Sequence, residues 1–214
     1  MPDSPETVIY QFRVALVGIS PLIWRRLLVQ SETTVDEFHH VLQLSFGWSD
    51  AHLHQFLIHA KRYGQSRSGG IAFMDDPREI KLADFGLRVS EKFLYEYDFG
   101  DCWQHLIRVE AILPSQPGKT YPICIGGNRC APPEDCGGTR RFLELRQQCS
   151  PFSLLQRVAD ILEDEEADRI AEIRELSRWL LIDRFDRQSV NRRLKQHFAT
   201  TDKSGILAEQ GDAR

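Results

Sequence analysis

Val8, Tyr10, Phe12, Val14 and Leu16 share one parity, with Gln11 and Arg13 on the other. A strict two-residue period puts successive side chains on opposite sides of an extended chain. The segment can therefore bury one face only as a strand of a sheet. Gly18-Ile19-Ser20-Pro21 interrupts the run, because proline has no N–H to give to a ladder. A second apolar run, Leu22 to Val29, follows at once. The two predict an antiparallel hairpin over residues 8–30 with Phe12 and Trp24 buried.

Thr34 with Glu37 three residues later is a capping box. Val35, Phe38, Val41, Leu42 and Ser45 then recur at helical spacing, and Gly47 supplies the stop. Further strands are predicted from about His52 to Arg62, from Glu91 to Asp98 and from Trp103 to Ile112. The last puts Trp103, His105, Ile107 and Val109 on one face, with Phe99-Gly100-Asp101-Cys102 as the tight connection before it. Residues 64–80 form a long loop. Leu113 to Gly138 forms another, with five prolines, five glycines and three cysteines. Helical stripes follow: Phe152, Leu155, Val158 and Leu162, then Ile170, Ile173, Leu176 and Leu180. Val190, Leu194 and Phe198 suggest a short last helix.

The order predicts an α+β fold. Its mixed or antiparallel sheet starts with a hairpin and a packed helix, in a β-grasp-like order, and a C-terminal helical segment follows. No linker or internal repeat divides it. The expectation is one domain over residues 1–214, with its core at about 8–198 and flexible polar ends at 1–7 and 199–214.

The formal net charge is −4, so no overall positive field draws in nucleic acid. Arg25, Arg26, Lys61, Arg62 and Arg67 remain as a local basic stretch. No apolar run approaches the roughly 20 residues of a membrane span. With no export signal, the five cysteines read as reduced thiols in the cytoplasm. A P-loop, a Rossmann glycine pattern, a Gly-x-Ser-x-Gly elbow and a His-Glu-x-x-His pair are all missing.

Two segments stand out. Tyr97 to His105 offers Asp98, Asp101, Trp103 and His105 around a turn. Cys124 to Gly138 offers Cys124, Cys130, Glu134, Asp135 and Cys136 in a loop too long for a plain connector. Asp98 and Asp101 suit a turn, where a carboxylate bonds nearby N–H groups. With His105 they could also hold a cation or move a proton. Glu134 and Asp135 suit a helix start. The six candidates for ligand binding or loop anchoring are Asp98, Asp101, Trp103, His105, Glu134 and Asp135. Cys124, Cys130 and Cys136 stand five residues apart, looser than the two to four usual between paired zinc ligands. With His105 or His54 as a fourth ligand they form a candidate metal set, and zinc is the cofactor it would take. The two segments are expected to meet in space, with a carboxylate or thiolate of the loop raising the pKa of His105.

These residues carry a resemblance. Tyr97-Asp98-Phe99-Gly100-Asp101, Trp103 and His105, followed by Pro132-Pro133-Glu134-Asp135 and Gly137-Gly138, resemble the signature of a family named after the third open reading frame of an Ri plasmid. Pro21 to Arg26, Gly47 to Phe56 and Phe185 to Leu194 match in order, so the resemblance spans about residues 8–198. Members are also labelled TnpR or insertion-element passenger proteins. The resemblance implies a fold and a mobile-element setting, but no activity. The family's Ala-Cys-Pro-Pro is Cys130-Ala131-Pro132-Pro133 here.

Three readings of function compete. A non-catalytic binding or accessory module with a protein partner is preferred. A metal-dependent, hydrolase-like enzyme would use Asp98, Asp101, His105 and Glu134. A DNA-associated accessory factor would use Arg25-Arg26 and Arg140-Arg141.

Overall fold

A computed structural model of the chain describes residues 7–65, 72–149, 151–163 and 169–208. Seven strands form one sheet: β1 (Val8–Leu16), β2 (Trp24–Gln30), β3 (His54–Ile58), β4 (Lys61–Tyr63), β5 (Lys92–Tyr97), β6 (Trp103–Pro114) and β7 (Ile123–Asn128). Their order is β4-β3-β5-β6-β1-β2-β7. Every pairing is antiparallel. Helix α1 (Val35–Phe46) lies between β2 and β3 in sequence. Helices α2 (Gly138–Gln148), α3 (Pro151–Glu163), α4 (Arg169–Leu180) and α5 (Arg187–Ala208) follow the sheet. The fold is α+β, with the expected hairpin, packed helix and C-terminal helices. Among the described residues no helix is long and apolar enough to cross a membrane.

The two-residue period of β1 decides which face is core. Tyr10, Phe12, Val14 and Leu16 point inward, and pairing carries that face across the sheet to Leu27 and Val29 on β2 and to Ile107 and Val109 on β6. Phe93, Tyr95, Tyr97 and Phe56 extend it. Phe38 of α1 fills the middle, its ring centroid 5.0 Å from Phe12, 5.7 Å from Phe56 and 6.4 Å from Phe93. The capping box forms as expected: Glu37 N–H donates to Thr34 Oγ1 at 3.1 Å, and Thr34 N–H donates to Glu37 Oε2 at 2.8 Å. Gly47 ends α1 at φ 79°, its N–H bonded to Gln43 O.

The register corrects the expectation for Trp24. Val14 pairs with Arg25, and Ala15 with Trp24. Arg25 therefore enters the core while Trp24 stays half-buried on the opposite face, where the Arg13 and Arg26 guanidiniums stand 5.2 and 5.3 Å from its ring. The expected third strand is two strands. His59 (φ 50°) and Ala60 (φ 62°) make a tight reversal between them without the Gly or Asn that usually announces it.

Leu113–Gly138 is not all loop. It contains the end of β6 and all of β7, whose prolines and glycines hide the strand signal. Gly127 is needed there, since a Cβ would meet the Phe185 ring at 2.6 Å. β7 lies at the sheet edge, but Asn191 of α5 covers it. Asn191 accepts from Cys124 N–H at 2.8 Å and donates to Cys124 O at 2.9 Å, which satisfies one edge residue as a further strand would. The last helix is not short: it runs on to Ala208. Arg67, residues 1–6 and residues 209–214 lie outside the described residues.

Candidate functional site

The two segments singled out in the sequence do meet. Asp98 (φ 57°) and Cys102 (φ 53°) bend the β5–β6 turn. Asp98 Oδ1 accepts from Gly100 N–H at 2.9 Å and Asp101 N–H at 3.3 Å, a carboxylate used as a turn brace. Asp101 Oδ2 in turn accepts from Gly137 N–H at 3.1 Å. Gly138 (φ 73°) approaches so closely that a Cβ would lie 2.5 Å from Asp101 O. The Pro132 to Gly137 loop is thus held over the turn.

A third segment, Trp48 to His52 after α1, holds the rest of the loop. Trp48 Nε1–H donates to Pro132 O at 2.9 Å. The Glu134 carboxylate accepts from Tyr97 Oη–H at 2.7 Å, from Ser49 N–H at 3.0 Å and from Ser49 Oγ–H at 3.1 Å. His52 Nε2 lies 3.0 Å from Asp135 Oδ1, and its Nδ1 3.9 Å from Asp98 Oδ2. Glu134 and Asp135 therefore latch the loop rather than start α2, whose N-cap is Gly137.

His105 does not join them. It is fully buried, and its Nδ1–H donates to Trp103 O at 3.1 Å. Its ring packs edge-on against Phe46 and Trp48. Burial pushes its pKa down to about 3, the opposite of the rise expected from a carboxylate neighbour. An imidazole so weakly basic and so enclosed has neither the proton affinity nor the access that the base of a hydrolase needs. Asp98, Asp101 and Glu134 are each engaged as described. Trp103 is buried beside Trp48, and its Nε1 has no hydrogen-bond partner among the described residues.

The proposed thiol set also separates. Cys124 sits on β7 and its Sγ–H donates to Gly126 O; Cys130 Sγ–H donates to Leu181 O; Cys136 lies in the loop beside Asp101. Burial raises all three thiols, Cys136 to about 11 with help from Asp101. They remain protonated at neutral pH, so none is poised as a nucleophile. Among the described residues, the metal-ligand groups that come within 4.8 Å of one another are His39, His40 and Asp50, and His52, Asp98 and Asp135. Neither contains a cysteine or His105.

Part of the basic stretch is neutralised or buried. Arg26 is paired with Glu110 at 2.5 Å, and Arg140 and Arg141 with Glu144 at 3.1 and 3.3 Å. Arg25 is 2% exposed. It forms the floor of a cleft of about 560 Å³ beside the loop, walled by Phe46, Trp48, Pro132, Phe185 and Arg193. Its guanidinium lies between the Phe46 and Phe185 rings, 4.9 and 4.4 Å from their centroids. Nε–H donates to Ser45 O at 2.9 Å, and Nη1 to Trp24 O and Asn128 O at 2.8 and 3.2 Å. Among the described residues no carboxylate pairs with it. Burial pulls its pKa down to about 10, and Arg193 adds to that pull, yet it stays cationic at neutral pH. Arg193 itself bonds Leu44 O and Ser189 Oγ. The sequence signal for Arg25 is the register opposite Val14, which becomes legible once the hairpin turn is placed.

Comparisons with known proteins agree on a relationship. The family model described as "Plasmid pRiA4b ORF-3-like protein" matches residues 8–193. The "Uncharacterized protein y4hQ" of Sinorhizobium fredii (strain NBRC 101917 / NGR234) is 30% identical over 137 residues, covering 64% of this chain and 70% of the relative. A solved structure titled as a protein of unknown function, MM3350 from Methanosarcina mazei Go1, superposes with a TM-score of 0.64. It is 30% identical, and the match covers 86% of this chain and 97% of that one.

Proposed function

The chain belongs to the plasmid pRiA4b ORF-3-like family, and on that premise we propose that it is a non-catalytic binding module whose cleft takes an apolar, carboxylate-bearing segment of a partner protein. The observation that carries this reading is the buried charge of Arg25. Taking a cation out of water costs several kcal/mol even after relaxation. Cation–π contacts return about 0.5–2 kcal/mol each, and the three carbonyls bonded to Arg25 carry partial charge only. An anion entering the cleft would complete the compensation. Arg193 at the rim adds a second cation, with Asp186 as its nearest acidic influence. Phe46, Trp48 and Phe185 would pack the apolar part, the division of labour found in ligand clefts generally.

The latch of Glu134, Tyr97 and Ser49 fixes one wall of the cleft. It leaves Asp98, Asp101, His105 and Glu134 in structural roles, which is why the hydrolase reading is set aside. The paired Arg26, Arg140 and Arg141 argue against the DNA-associated reading. The family's plasmid association supports an accessory role for a mobile element.

The probe is 1-anilinonaphthalene-8-sulfonate, an aromatic anion whose fluorescence rises in apolar sites. Saturable binding is expected, weakened about tenfold by Arg193→Met and by Phe185→Ala, with far-UV circular dichroism unchanged. Unaltered affinity in both variants would overturn the reading. Random duplex DNA should bind weakly at physiological salt; tight binding with a steep salt slope would favour the DNA reading instead.

A further inference from the structure

Away from the cleft, the middle of α1 and the turn after the helix bring histidines and an aspartate together. The ring of His39 is buried, and His54 of β3 stacks on it at 3.4 Å with the planes 8° apart. His40 is next in sequence, its ring 5.1 Å from His39 and 5.3 Å from His197 of α5. Asp50 faces both: Oδ1 lies 2.7 Å from His39 Nε2, and Oδ2 lies 3.8 Å from His40 Nδ1. From this geometry we infer that His39, His40 and Asp50 form a binding site for a divalent transition-metal ion of the zinc class, independent of the cleft.

Two ligands each about 2.0–2.1 Å from a tetrahedral ion stand roughly 3.3 Å apart. One ligand atom from each of His39, His40 and Asp50 lies within 4.8 Å of the other two, so the three converge on one point and need only close in around an ion. Two imidazoles and a carboxylate suit zinc and its first-row neighbours, and suit magnesium or calcium poorly. The His40 and Asp50 side chains are 30% and 36% exposed, which leaves a path for the ion and for a water ligand.

The surroundings are arranged as the outer shell of a metal site is. His39 Nδ1 is 2.8 Å from Tyr95 Oη, and Gln43 Nε2–H donates to the same oxygen at 2.9 Å. Gln43 Oε1 accepts from Asp50 N–H at 3.2 Å. One glutamine thus orients both the partner of His39 and the backbone of Asp50. Asp50 is held at φ 60°, in the left-handed region that an aspartate tolerates better than most residues. A carboxylate accepts only, so in the metal-free protein Nε2 carries the proton and Tyr95 Oη–H donates to Nδ1. With the ion on Nε2, the ring adopts its other neutral tautomer, and Nδ1–H faces the Tyr95 oxygen, which can also accept.

The test uses the full chain stripped with a chelator, then titrated with Co²⁺ and, by calorimetry, with Zn²⁺ alone. Expected are a visible d–d absorption saturating at one ion per chain and a loss of affinity of about tenfold or more in His40→Gln and in Asp50→Asn. His52→Ala should bind as the parent does. Imidazole ¹⁵N spectra of the unsubstituted protein should show His39 Nε2 and His40 Nδ1 shifting with Zn²⁺, which tests the assignment without any variant. Absence of saturable binding would overturn it. So would unchanged affinity in both variants, a near-ultraviolet thiolate-to-cobalt band, which would place the ion on cysteine, or ¹⁵N shifts confined to other histidines.

Discussion

Replacing Tyr97 by Phe removes one oxygen and leaves the ring stacked on Trp48 at 5.1 Å. The lost hydroxyl donates to the Glu134 carboxylate at 2.7 Å and accepts from Ala51 N–H at 3.1 Å. A hydrogen bond to a charged acceptor contributes about 1.5–3 kcal/mol. Ala51 is exposed, so water replaces its lost acceptor at little cost. Glu134 keeps its bonds from Ser49, which limits the damage to the one lost bond. The expected destabilisation is therefore about 1.5–3 kcal/mol. With a urea m-value of about 2 kcal/mol/M, the midpoint should fall by about 0.8–1.5 M. Hydrogen exchange should quicken first in the loop at residues 129–137. A double-mutant cycle with Glu134→Ala isolates the pair, because Tyr97→Phe should cost almost nothing once the carboxylate is gone. Additivity of the two substitutions within about 0.5 kcal/mol would refute the claim that Tyr97 and Glu134 latch the loop.

His105, with its pKa lowered to about 3, and His39, also lowered, are neutral when folded but take up a proton near pH 6.5 when unfolded. The unfolded state then binds more protons, so stability is full above about pH 6.5 and falls below it. The slope approaches about 1.4 kcal/mol per pH unit from His105, continuing down towards its folded pKa, and His39 adds in the same direction. Urea melts from pH 7.5 to 4.5 read this, and a flat profile would contradict neutral burial. Gly138→Ala and Gly86→Ala both force alanine into positive φ, costing about 1–2 kcal/mol. Only Gly138 also meets a backbone oxygen, whereas Gly86 has open space, so thermal melts should show Gly138→Ala clearly the worse, and equal losses would deny the close packing of loop on turn. Phe38→Ala should cost about 3–5 kcal/mol by chemical denaturation. A loss below about 1 kcal/mol would mean that the cavity collapses or that Phe38 is not core.

Periodicity is a local property, and what it controls is legible in the chain alone. The two-residue run of β1 places Phe12, Val14 and Leu16 inside. Thr34 with Glu37, and Gly47, place both ends of α1, since capping involves neighbours only. The unusual composition of Tyr97–His105 and Cys124–Gly138 marks two segments that do pack together, because turn-bracing carboxylates and prolines are needed where irregular backbone must hold a shape. What the chain does not reveal by itself depends on register and on partners distant in sequence. A shift of one residue in the β1–β2 pairing exchanges Arg25 with Trp24 between core and open face, and only the paired sheet fixes it. β7 reads as loop because one of its glycines, Gly127, serves the approach of Phe185, some 60 positions on. His105 reads as chemistry until Phe46, Trp48 and Tyr95 enclose it. His39 reads as an ordinary helical histidine until Asp50, His54 and Tyr95 gather around it. A side chain's charge and reactivity follow from its dielectric and its neighbours, and both are set by packing between elements that sequence spacing does not bring together.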